Sequence, residues 1–301
     1  MLRALRSFLS LQRLAEEINE LARCQKSIEH EIANGFRDIK ARLDLDRQLV
    51  PIWPSDKWVA TDLDGLRIWI NLHDNYIART ILEGHYENEV LAIIAKQLKT
   101  GGVYVDIGAN VGAHALRVAR HVGSEGRVFC FEPRVDTFHM LSRSIEENSL
   151  ADRCVIFNKG LSDKESLGRM RHFDLNPGAS FVLEDTSPED ESIVLTTLDE
   201  IDFGETVDVL KIDVEGFETK VLRGGRSFFR KYRPIATSEV FPAALRNAGS
   251  SSAEEYVDLW NSYDYEVRWF EPNEAGAVVQ ASLLRDESRF PDLFNVICYP
   301  R

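Results

Sequence analysis

Apolar residues recur every three or four positions through residues 4–47. Leu11, Leu14, Ile18, Leu21, Ile28, Ile32 and Ile39 share one heptad register, with Gln25, Gly35 and Arg42 at its weaker seam positions. No proline interrupts the stretch, so it predicts one long helix with a coiled-coil seam. Pro51 and Pro54 end that helix and mark a linker. The period then changes to two: Trp58–Leu72 alternates around Asp64-Gly65, a hairpin signal. From residue 87 onward, helical and strand-like segments take turns. Helices are predicted over 87–99, 113–122, 135–148, 217–231 and 253–263, and strands over 103–107, 127–132, 154–158, 207–213, 235–240, 265–270 and 294–299. A polar, alternating stretch over 163–197 reads as an inserted hairpin. The pattern predicts an α/β fold, a seven-stranded and mostly parallel sheet covered on both faces. Three parts follow: the N-terminal helix over 1–48, a lead-in hairpin and helix over 49–100, and the main domain over 101–301.

The first strand of that domain runs into a tight turn, Gly102-Val-Tyr-Val-Asp106-Ile-Gly108-Ala-Asn110-Val-Gly112. The second strand ends in an acid, in Arg127-Val-Phe-Cys-Phe-Glu132-Pro133. Glycines let the backbone turn sharply and approach a ligand closely. A carboxylate at the end of the second strand can accept both hydroxyls of a ribose, which is the layout of a nucleoside-binding α/β domain. A dinucleotide fingerprint needs G-x-G-x-x-G facing a pyrophosphate, whereas this turn reads G-x-N-x-G with Asp106 just before it. An acid there would repel a pyrophosphate and suits a ligand with a cationic end. S-adenosylmethionine carries an ammonium, a sulfonium and a ribose, and no phosphate. Glu132 is then expected on the ribose, and Asn110 with the backbone at Gly108 on the methionine portion. Asn158, at the end of the third strand, is placed where an adenine amino group would lie.

Ligands in open parallel sheets bind at the carboxyl ends of the strands. Four acidic strand ends, Asp106, Glu132, Asp213 and Glu239, are expected to converge there. In Lys211-Ile-Asp213-Val-Glu215 the charged residues alternate, so they point to one side while the strand persists. A hydroxyl accepting a methyl group needs its proton removed. Asp213 or Glu215 could be that base, with Lys211 tuning it or holding the acceptor, and Glu239 is a further candidate. No histidine is spaced to complete a zinc site, and no metal is assigned, although the carboxylates could instead hold Mg²⁺. His73, His85, His114, His139 and His172 are scattered and read as surface residues.

Asp106-Ile-Gly-Ala-Asn-Val-Gly112, Phe131-Glu-Pro133, Thr197-Leu-Asp199 and Lys211-Ile-Asp-Val-Glu-Gly-Phe-Glu218 together resemble the FkbM-type family of S-adenosylmethionine-dependent methyltransferases. Gly84-His-Tyr-Glu87 is similar to that family's lead-in, and Arg233-Pro-Ile-Ala-Thr-Ser-Glu239 to its later strand. The resemblance spans roughly 58–300. It implies a class I methyltransferase (Rossmann-like) fold and O-methylation of a saccharide or small secondary metabolite. It also implies that Glu87 reaches the cofactor's amino group.

Net charge is −13, and residues 1–47 are nearly balanced, so the acidity lies in the body. That argues against nucleic acid and suits a neutral sugar or a cationic small molecule. The four cysteines form no C-x-x-C pair, no secretory signal is present, and no apolar run is long enough to cross a bilayer. A cytoplasmic enzyme is expected, assembled as a dimer or trimer through residues 1–47. Arg3, Arg6 and Arg13 beside Leu2, Leu5, Phe8 and Leu9 are a weaker case for membrane contact. The rival readings are a nucleotide-binding oxidoreductase and an inactive methyltransferase-fold scaffold on a coiled coil.

Overall fold

Strands β1 (Trp58–Leu63) and β2 (Leu66–Asn71) pair antiparallel about Asp64-Gly65. They belong to a computed structural model that describes residues 58–74, 76–171, 181–183, 191–271, 274–279, 284 and 293–301. The heptad seam and the linker prolines lie outside the described residues. After the hairpin come α1 (Ile77–Leu82), α2 (Asn88–Gln97), β3 (Val103–Ile107), α3 (Ala113–Val122), β4 (Arg127–Phe131), α4 (Val135–Glu147) and β5 (Cys154–Phe157). Short strands β6 (Gly160–Leu161), β7 (Ser166–Arg171), β8 (Phe181–Leu183) and β9 (Glu191–Thr196) follow. The chain closes with β10 (Val209–Ile212), α5 (Glu218–Arg223), α6 (Arg226–Tyr232), β11 (Ile235–Val240), α7 (Pro242–Asn247), α8 (Ala253–Ser262), β12 (Tyr265–Glu271), β13 (Glu274–Val278) and β14 (Phe294–Pro300).

The main sheet has the order β13-β12-β14-β11-β10-β3-β4-β5. Its five strands from β11 to β5 are parallel, and β14, β12 and β13 extend it antiparallel. All seven predicted strands are in this sheet, and β13 adds an eighth at the edge. The insertion is larger than a hairpin: β6-β9-β7-β8 form a sheet of their own. The predicted helix over 217–231 is two helices, because Gly224-Gly225 interrupts it. Asp199 caps the second of them, accepting from the N–H groups of Ser227 and Phe228 at 3.0 and 2.8 Å. Helix α8 opens on Ser252, whose hydroxyl accepts from the Glu255 N–H at 3.1 Å, the start of a Ser-x-x-Glu capping pattern.

The parallel strands read as continuous apolar runs because helices cover both their faces. Val105, Ile107, Leu210, Ile212 and Ala236 pack with Val221, Phe229, Tyr256 and Trp260 in one core. The hairpin is strapped to α4 rather than left as a flap. Trp69 is fully buried; its backbone N–H donates to Ser144 Oγ, and its indole N–H donates to Glu147 Oε2. Truncating such an indole would cost about 3–5 kcal/mol. The chain runs β3, β4, β5 to one side and then returns to place β10 and β11 on the other. The order therefore reverses between β3 and β10, where α/β sheets open a ligand crevice.

Candidate active site

A cavity of about 410 Å³ opens at that reversal, lined by residues that follow β3, β4, β10 and β11 together with the α1 and α2 lead-in. Its floor is the glycine turn. Gly108 has φ +83, and a Cβ there would fall 1.8 Å from the Asp213 carbonyl oxygen, so only glycine lets this turn lie against the end of β10. The five amides of the turn are all used inside the protein. Gly108 and Ala109 donate to the Phe131 carbonyl, Asn110 to Glu132 Oε2, Val111 to Asn110 Oδ1, and Gly112 to the Ala109 carbonyl. A pyrophosphate would need such amides free, so the turn is not a dinucleotide nest.

Glu132 ties the two strand ends together. Its Oε2 accepts from Asn110 and its Oε1 from the Arg134 N–H at 2.9 Å, and the side chain lines the cavity. Burial pushes its pKa up to about 7, against the pull of those amides and of the Arg134 charge. Each carboxylate oxygen accepts more than one donor, so capacity remains for two ribose hydroxyls.

The opposite wall is carboxylate-rich. Asp213, Glu215 and Glu239 all line the cavity, and each brings one oxygen within 4.8 Å of the others. Lys211, 5% exposed beneath them, donates to Asp213 Oδ2 at 2.7 Å. Burial opposes a charge on Lys211, yet Asp213, Glu87 and Asp106 together hold its pKa well above the usual range. Burial and repulsion from Asp213 raise Glu215 to about 8 and Glu239 to about 9. The carboxylate of Glu218 holds the Glu215 turn from behind, accepting from the Gly216 N–H at 3.1 Å.

Glu87 closes a third side. Its Oε2 lies 2.6 Å from His114 Nε2. Burial would raise its pKa, but the His114 contact and the nearby Lys211 outweigh that and hold it at about 2. Glu87, Asn110 and Glu215 have φ of 41, 50 and 50°, the left-handed region that non-glycine residues adopt at a cost. All three line the cavity, and strain of this kind clusters where function holds it in place.

The remaining expected residues surround the cavity without lining it. Asp106 is 1% exposed, a register partner of Lys211, and neither of its oxygens has a hydrogen-bond partner. Gly112 caps α3, and a Cβ there would meet Leu141 at 2.5 Å, so its role is helix packing. Asn158 donates its amide to the carbonyls of Glu132 and Pro133 at 3.0 Å each, which fixes the turn beside Glu132. His172 lies outside the described residues. His114 was expected at the surface; it is 3% exposed, because the helix that carries it turns this position inward against Glu87. Tyr76, Tyr86, Phe217 and Phe241 also line the cavity; Tyr76 and Phe241 belong to no short motif. Met170 and Leu195, from the small sheet, complete the apolar wall.

The Methyltransferase FkbM domain matches residues 106–267, which include the glycine turn and all four acidic strand ends. The chain belongs to the FkbM methyltransferase family. Its fold is the class I methyltransferase fold, and its cofactor is S-adenosylmethionine. A curated relative, the hexuronic acid methyltransferase AglP of Haloferax volcanii, is 32% identical over 143 residues. The match covers 46% of this chain and 56% of the relative, so the chain spans little more than half of that protein's length. Among solved structures, the FkbM methyltransferase of Methylobacillus flagellatus is similar, with 17% identity over 67% of this chain and 44% of its own, at a TM-score of 0.44. A SAM-dependent O-methyltransferase from Thermotoga maritima aligns over 74% of this chain and 70% of its own, with 14% identity and a TM-score of 0.41.

The FkbM chain's own residues suit this cofactor. Carboxylates at Glu87 and Glu132 complement a ligand with a cationic end and a ribose, and the turn offers no free amide to a phosphate. The three cysteines among the described residues are free thiols; Cys130 and Cys298 are buried, and burial raises their pKa. No helix among the described residues is long and apolar enough to cross a membrane.

Proposed function

We propose that this FkbM methyltransferase methylates a hydroxyl of a saccharide or small metabolite that carries no acidic group. One observation carries the reading: a single cavity joins the Glu132 ribose end to the Asp213, Glu215 and Glu239 cluster. When bound, S-adenosylmethionine supplies an electrophilic methyl group on its own leaving group. The protein must therefore align the acceptor and take its proton. Glu132 receives the ribose hydroxyls, Asn110 and the Gly108 backbone border the methionine portion, and Glu87 meets the ammonium. Asp213 is the base: Lys211 orients it through Oδ2, and its other oxygen has no protein donor among the described residues. Glu215 and Glu239 accept from further acceptor hydroxyls, and Tyr76, Phe217 and Phe241 offer faces to a sugar ring. Asp106 stays behind Lys211, its register partner, and away from the ligand.

The relative's name specifies a hexuronic acid. A carboxylate on the acceptor here would face Glu215 and Glu239, which resist even their own ionisation. Methyl transfer from labelled cofactor to matched neutral, amino and uronic sugar glycosides tests this. O-methyl products on neutral or amino sugars are expected. A preference for the uronic acid, or an N-methyl product, would overturn the proposal. Residues 1–47 are proposed to join two or three copies of the chain through the heptad seam.

A further inference from the structure

Helix α3 starts at the glycine turn and carries two buried polar side chains one turn apart, His114 and Arg117. Both reach the same lead-in segment. His114 Nε2 lies 2.6 Å from Glu87 Oε2. Arg117 donates to the Tyr86 carbonyl and to Asn88 Oδ1, each at 3.0 Å. The Tyr86 ring lies tilted against the His114 ring, with centroids 5.7 Å apart. Between these contacts Glu87 keeps φ 41 and ψ 39, a conformation that the surroundings must impose on a side-chain-bearing residue. His114 Nδ1 is buried with no hydrogen-bond partner, so the ring makes one polar contact and that contact is Glu87.

We propose that His114 is a positioning residue for the cofactor: it fixes the Glu87 carboxylate so that its second oxygen meets the ammonium of the methionine end. The inference rests on the role given to Glu87 above. Arg117 holds the residues on either side of Glu87, through the Tyr86 carbonyl and the Asn88 side chain, and His114 sets the carboxylate itself. A glutamate fixed before binding does not lose rotamer freedom when the ligand arrives. Because α3 begins at the cofactor turn, one helix registers the methionine end against the ribose end.

Calorimetric titration tests this with two ligands, S-adenosylhomocysteine, which has the amino-acid end, and 5′-methylthioadenosine, which lacks it. His114→Ala should weaken the first about tenfold and leave the second within about twofold, the size usual for a group that orients a binding residue. His114→Gln, whose amide can donate to Glu87, should restore most of the loss. In a Glu87→Ala background, His114→Ala should add nothing, because the two residues act as one unit. Equal losses for both ligands would mean that His114 only supports the fold, and would overturn the proposal. So would an unchanged S-adenosylhomocysteine affinity in His114→Ala when Glu87→Ala weakens it. If Glu87→Ala itself leaves that affinity intact, the ammonium role of Glu87 fails, and this inference fails with it.

Discussion

Replacing Glu239 with glutamine should stabilise the ligand-free protein, and by more as the pH rises. Glu239 is partly buried near the end of β11, with Asp213 and Glu215 oxygens within 4.8 Å of its own. Burial, then repulsion from Asp213 and Glu215, lifts its pKa from 4.5 to about 9. Below pH 4.5 the group is protonated both folded and unfolded, and it shifts nothing. Above that, the unfolded chain releases the proton while the folded chain keeps it, so stability falls with rising pH until the folded group ionises near pH 9. At pH 7.5 the interval is three units, a ceiling of about 4 kcal/mol at about 1.4 kcal/mol per unit. Glu215 beside it is raised as well and the two groups interact, so relieving one recovers part of this. A gain of about 2 kcal/mol is expected, or about 4–8 °C in Tm for a body of this size. Glutamine keeps the shape of the protonated acid and cannot ionise. Thermal melts of both proteins at pH 5, 6.5 and 8, without ligand, should show a difference that is smallest at pH 5 and widens steadily. A difference independent of pH, or a variant less stable at pH 8, would refute the reasoning.

Glu132→Ala should weaken S-adenosylmethionine binding by about 2–4 kcal/mol, or roughly 30- to 1000-fold, as charge-assisted bonds to the ribose are lost. Unchanged affinity in a folded variant, measured by titration, would sink the assignment. Asp213→Asn should keep cofactor affinity within a few fold and cut turnover by about 100-fold, the loss expected for a general base. Turnover surviving within a few fold would pass the role to Glu215 or Glu239, and the same assay with chelator should show no loss if no metal takes part. Deleting residues 1–47 should lower the oligomeric state measured by light scattering and leave a cofactor-binding monomer, and Ile18→Asp with Leu21→Asp should do the same. A full-length monomer would rule out the seam.

What was legible in the chain was what is local. The glycine turn, Glu132 at the end of β4 and the bounds of β3, α3 and β11 rest on short patterns, and they stand where expected. The 4.8 Å cluster was only half legible. Alternation put Asp213 and Glu215 near each other, and Glu239 was expected at the same end of the sheet, but its approach to within 4.8 Å depends on β11 lying beside β10, and strand order leaves no periodic trace. His114 looked like one scattered histidine because its partner Glu87 is 27 residues away, across a lead-in that folds back on α3. Asn158 sits at the expected strand end, yet its amide is turned to the Glu132 and Pro133 carbonyls, a choice of rotamer that spacing cannot show. The small sheet was read as a hairpin because the pairing of β6 with β9 joins positions more than 30 residues apart.

The most direct measurement is a pair of calorimetric titrations of the full chain, one with S-adenosylmethionine and one with NAD. The glycine turn has spent its amides on protein oxygens, and the cavity wall is lined with carboxylates. One S-adenosylmethionine should therefore bind per chain, with no heat from NAD. Saturable binding of NAD, or a folded protein that takes up no S-adenosylmethionine, would contradict the account.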